Sequence, residues 1–177
     1  FLLSPPAEWA RVDTALWLEL RAEATYGAGN YGLAVLSWEL LHDHHLGQGR
    51  RVEAARAAAM TALLLLCDSG LMSAVRGWVR RAERLSDDGP GPVHALLAAV
   101  SAYERFMCGD MANAAVFADR ATELGERFDV MPARLIGLTA TGRLTILRGD
   151  VDGGLSLLDE VAALLLSPLT DPFTRGM

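Results

Sequence analysis

A turn motif that recurs every 40 residues restricts the fold of this 177-residue chain more than any other feature. Its copies are Gly29-Asn30-Tyr31 with Ala34, Ser69-Gly70-Leu71 with Ala74, Gly109-Asp110-Met111 with Ala114, and Gly149-Asp150-Val151 with Gly154. Three further columns keep the same period. Small residues stand at Ala22, Ala62, Ala102 and Gly142, and large apolar ones follow four positions later at Tyr26, Leu66, Phe106 and Ile146. Pro92, Pro132 and Pro172 mark the openings of successive units. A period of this size belongs to an array in which each unit is one supersecondary element.

The residue types say what that element is. A small residue where two helices cross lets their backbones approach, and a large one a turn later fills the adjacent groove. Gly-Asp or Gly-Asn ends one helix with a residue tolerant of positive φ and starts the next with an N-cap oxygen. Each unit is therefore a helix-turn-helix hairpin with an apolar face that only a neighbouring unit can cover. An all-α chain of about eight helices, plus the start of a ninth, follows. The unit boundaries fall near 6–46, 50–86, 92–128 and 132–167, with a fifth unit beginning at 171.

The order of small residue, large residue, Gly-Asp turn, small residue and unit-opening proline resembles the tetratricopeptide repeat over nearly the whole chain. Two departures stand out: the unit is 40 residues long, and no tryptophan occupies the family's first-helix position. The resemblance implies a right-handed superhelical stack whose first helices line a concave wall. Long Ala- and Leu-rich units of this kind are similar to the repeat region of large actinobacterial transcription regulators of the LuxR type. Most similar is the run Leu147-Arg148-Gly149-Asp150-Val151-Asp152-Gly153-Gly154-Leu155-Ser156-Leu157-Leu158-Asp159-Glu160 with Ser167-Pro168-Leu169. What this implies is a non-enzymatic interaction module that senses or relays a signal within a larger regulator. The alternatives are a regulatory segment attached to a nucleotide cyclase or ATPase, and a stand-alone scaffold.

Composition narrows the function classes. Half of the chain is apolar and 21% is charged, enough for a substantial core. All sixteen basic residues are arginine, which reads as GC-rich coding. The net charge of −6 argues against direct nucleic-acid binding by this stretch, and the cluster Arg76, Arg80, Arg81 and Arg84 is expected on a solvated outer face near Glu83. Cys67 and Cys108 have no metal-site spacing and are expected as two buried free thiols in a reducing cytoplasm. Ala58 to Cys67 is apolar nearly all round but too short to cross a bilayer, which suits a helix in the middle of a stack.

No catalytic motif is present: there is no phosphate-binding glycine loop before a Lys-Ser/Thr pair, no nucleophile elbow and no His-Glu-x-x-His. Gly27, Gly29 and Gly32 serve a helix-helix turn. His42-Asp43-His44-His45 places two histidines three apart at a helix C-terminus, where the dipole favours them without a metal, and no cofactor or metal is expected. Helical spacing from the crossing residues puts Glu19, Glu23, Ala59, Leu63, Ala99, Tyr103, Thr139 and Arg143 on the inner wall. That wall is acidic at one end, apolar in the middle and basic at the other, a surface for a protein or peptide partner. Ser4-Pro5-Pro6 is expected to open the first helix, and Phe173 to Met177 a fifth first-helix that is cut off. Exposed terminal units would then favour self-association, with no part for a membrane.

Overall fold

A computed structural model describes residues 13–168 and 170–176, apart from the Pro172 side chain. The expected opening at Ser4-Pro5-Pro6 lies outside them. Among the described residues every regular element is a helix: α1 Thr14–Gly27, α2 Tyr31–Gly47, α3 Arg51–Asp68, α4 Met72–Leu85, α5 Pro92–Met107, α6 Met111–Arg127, α7 Met131–Leu147, α8 Val151–Leu165 and the short α9 Pro172–Gly176. Consecutive helices pack as hairpins, α3 lies on α5 and α5 on α7, while α4 meets α5 sparingly. None of these helices is long and apolar enough to cross a membrane.

The turns show why the chain reverses where it does. At Gly29 (φ 74°), Gly109 (φ 78°) and Gly149 (φ 98°) the glycine N–H donates to the carbonyl three residues back and the next N–H to the carbonyl five back, as in Asn30 to Thr25 at 2.8 Å. These bonds satisfy carbonyls that the helix end would otherwise leave without partners. Asn30, Asp110 and Asp150 then cap α2, α6 and α8 by accepting from the N–H of Leu33, Asn113 and Gly153. The same reversal joins α2 to α3 at Gly49 and α6 to α7 at Asp129, whose φ of 55° is unusual for a residue with a side chain.

The second hairpin departs from this register. Helix α3 runs to Asp68, Ser69 is its C-cap, and the residue with positive φ is Gly70 (φ 61°). The Ser69 hydroxyl donates back to the Leu65 carbonyl at 2.7 Å, which draws the helix one residue further. Helix α4 accordingly starts one residue late, at Met72, with Leu71 as an N-cap that supplies no side-chain bond. The crossing slot filled by Ala34, Ala114 and Gly154 elsewhere is taken by Val75, which is fully buried, whereas Ala74 is only half-buried. The assignment of Ala74 to that column is therefore corrected.

The remaining crossing positions are buried: Ala22, Ala34, Ala62, Ala102 and Ala114 are inaccessible to solvent, and Gly142 and Gly154 are buried in the α7–α8 contact. A Cβ built on Gly154 would stand 2.6 Å from the Gly142 carbonyl oxygen and closer still to the Ile146 side chain. Only a hydrogen fits between those backbones. Gly137 does the same for α6 and α7, where a Cβ would meet the Ala118 carbonyl at 2.7 Å. In the middle of the stack, Ala57 to Leu64 of α3 are buried without interruption. Burying a leucine such as Leu63 or Leu64 contributes about 1.5–3 kcal/mol each.

Helix α9 does not face open solvent beyond α8. It packs on α1, and Phe173, 5% exposed, sits edge-on to Tyr26 with ring centroids 5.1 Å apart and near Trp38 at 6.4 Å. The last described segment thus returns to the first hairpin.

Candidate functional site

A cavity of about 400 Å³ lies between α3, α5, α7 and α8, and Thr174 of α9 also lines it. Leu63 and Leu66 form part of its floor, and Tyr103, Met107, Leu135, Ile136, Thr139 and Arg143 also line it. Four of the residues counted to the inner wall, Leu63, Tyr103, Thr139 and Arg143, are therefore brought together. A second cavity of about 220 Å³ holds Glu23, with Arg56, Asp129, Asp171 and Phe173. Pro132 and Thr174 line both, so the two spaces are neighbours.

Helical periodicity explains the convergence. Tyr103 projects from α5 one residue beyond Ala102, and Arg143 from α7 one residue beyond Gly142, so both stand beside a crossing point on the side facing the cavity. The Arg143 guanidinium lies 5.6 Å from the centre of the Tyr103 ring, within cation-π range. No carboxylate among the described residues pairs with it. The Thr139 hydroxyl is already engaged, donating to the Leu135 carbonyl at 2.7 Å. Burial pushes the Tyr103 phenol upward, with Arg143 opposing that shift.

The opposite end is acidic. Loss of hydration raises the Glu23 carboxyl above its ordinary value, with Glu19 and Asp171 adding to the rise and Arg56 opposing it. Glu19 itself lines neither cavity: it pairs with Arg56 at 2.7 Å, an ion pair open to water on both sides. Ala59 and Ala99, also counted to the inner wall, are wholly buried between helices and leave the wall to longer neighbours.

Both cysteines are free and exposed, a correction to the expectation of buried thiols. Each stands at the end of a first helix, Cys108 as the C-cap of α5. Cys67 lines the larger cavity, and the apolar surroundings of its sulfur, with Asp68 beside it, push the thiol up to about 11. Sequence gave no sign of this placement, because a cysteine on an apolar helix has the same pattern whether its neighbour covers it or stops short.

The histidine run is divided by packing. His42 is buried, bonded through Nδ1 to the Ala54 carbonyl at 2.9 Å and set edge-on to Trp78. Burial first, then Arg50, lowers the His45 imidazole. Among the described residues no three His, Cys, Asp or Glu side chains converge as a metal site would need. Arg76, Arg80, Arg81 and Arg84 are exposed on α4, with Arg76 reaching Glu104 at 3.5 Å and Arg81 stacked 4.4 Å over Trp78.

No protein-family model matches the chain, and no curated protein matches it.

Proposed function

We propose that the chain is an interaction module that captures a ligand or a short peptide in the cavity bounded by α3, α5 and α7, as the sensor or relay segment of a larger bacterial transcription regulator of the LuxR type. The observation that carries the reading is the meeting of Leu63, Tyr103, Thr139 and Arg143 at one concave, largely apolar space. Sites for small ligands and peptide side chains have this character, a few polar groups set into an apolar wall of about 300–1,000 Å³. The regulator assignment rests on the repeat texture of α7 and α8 and on the acidic overall charge, which leaves DNA contacts to another domain.

Amide chemical-shift mapping on the 15N-labelled chain against a library of hydrophobic tetrapeptides and small acids tests the capture. Shifts confined to residues around Tyr103, Thr139 and Arg143 support it; shifts scattered over the outer helices, or absent throughout, overturn it. Sequencing the gene beyond the segment tests the context. A downstream DNA-binding helix-turn-helix supports the regulator, and a cyclase domain would replace it with the enzyme-regulatory alternative.

A further inference from the structure

The larger cavity has a one-sided polarity that narrows its occupant. We infer that it takes a small amphiphilic monocarboxylate, a flexible hydrocarbon tail of about ten carbons laid against Leu66, Leu135 and Ile136 with the carboxylate held at the rim by Arg143. The inference rests on the cavity being a binding site, and it assigns the ligand's chemistry.

Size comes first. A space of about 400 Å³ lies near the lower end of the range of small-ligand sites, about 300–1,000 Å³, and suits a molecule the size of a medium-chain acid. Depth sets the direction. Leu63 is wholly buried and Leu66 nearly so, whereas Met107 is 59% exposed and Arg143 is exposed. The apolar end of a ligand therefore points inward and its charged end remains at the mouth.

Charge sets the head group. Arg143 is a permanent cation, it has no carboxylate partner among the described residues, and its planar fork matches two carboxylate oxygens. A single guanidinium, with no other cation lining the cavity among the described residues, suits one negative charge better than a phosphate dianion. The Cys67 thiol stays protonated at neutral pH and so adds no repulsion. Across Pro132 and Thr174, Glu23 and Asp171 line the adjoining cavity and repel a second negative group, which disfavours dicarboxylates and fixes the orientation.

Isothermal titration of the whole chain with decanoate and, separately, with 1-decanol tests the assignment. Decanoate should bind more tightly than 1-decanol, and Arg143→Gln should weaken decanoate about tenfold or more while leaving 1-decanol unchanged, the range expected for loss of a charged hydrogen bond. Arg143 is exposed, so the variant should keep its helical circular dichroism. Thr139→Trp, which fills the cavity from its open side, should abolish both.

Equal binding of the two probes, with no effect of Arg143→Gln, would overturn the carboxylate assignment and leave an apolar site. Failure of decanoate to bind while peptides shift the cavity amides would overturn the ligand class alone. Decanoate binding that survives Thr139→Trp would place the site elsewhere and overturn the cavity reading as well.

Discussion

Replacing Gly154 by alanine tests the close approach of α7 and α8 directly. The added Cβ would stand 2.6 Å from the Gly142 carbonyl oxygen and 3.0 Å from the Ile146 amide nitrogen, besides meeting the Ile146 side chain. Two of these neighbours are backbone, so no rotamer change relieves them and the helices must separate. Overpacking of this kind costs about 1–3 kcal/mol, and contact with backbone places it in the upper half. Alanine returns about 0.8–1 kcal/mol of helix propensity, leaving a net loss of about 1–2 kcal/mol. For a domain of this size that lowers the melting temperature by about 2–8 °C.

Gly77→Ala supplies the control, since Gly77 lies within α4 and nothing stands within 4 Å of its missing Cβ. The gain in propensity is then unopposed, and a rise of about 0.5–1 kcal/mol is expected. Urea and thermal melts followed by circular dichroism read both variants. A Gly154→Ala chain as stable as the parent, beside a stabilised Gly77→Ala chain, would refute the crossing.

Three further outcomes are expected. Asp129→Gly should stabilise by about 0.5 kcal/mol in the same melts, because relief of a left-handed backbone outweighs glycine's entropic cost only slightly. Glu23→Gln should raise the melting temperature near pH 7 and lose that advantage near pH 4. The folded chain holds the Glu23 proton more tightly than the unfolded one does, so this group's contribution is present below its ordinary value of 4.5 and is lost as pH rises through the folded value. In a Cys108→Ser background, Cys67 should react with iodoacetamide at pH 8 about tenfold more slowly than N-acetylcysteine. A thiol raised from 9.0 to about 11 has about a hundredth of the thiolate, and its greater nucleophilicity recovers about one order.

The hairpins were legible in the sequence because each turn depends on local chemistry: glycine accepts positive φ and the next residue supplies a cap. Period alone misplaced the crossing residue of α4. Ser69 and Gly70 both satisfy the pattern of a turn, and a one-residue choice between them rotates the following helix by about 100°, which moves Val75 into the slot expected for Ala74. Helical spacing alone points Glu19 toward the inner wall, but it lines neither cavity. Its position leaves it between the wall and Arg56, and an ion pair holds it there. Gly137 stands outside the crossing columns: its place is set by the Thr122 and Ala118 backbone of one neighbouring helix. Cavities are harder still to read from spacing, since they depend on where several helices fail to touch.

The return of Phe173 to Tyr26 changes the statistics of unfolding. In a linear array each hairpin interacts only with its neighbours, and the free ends fray first. In an array whose last described helix rests on its first, the first hairpin is held by α9 as well as by its neighbour. The α1–α9 contact must then yield before the first hairpin can fray on its own. Loosening Phe173 would restore free ends, and the broad, stepwise melting of an open chain should replace a single sharp transition.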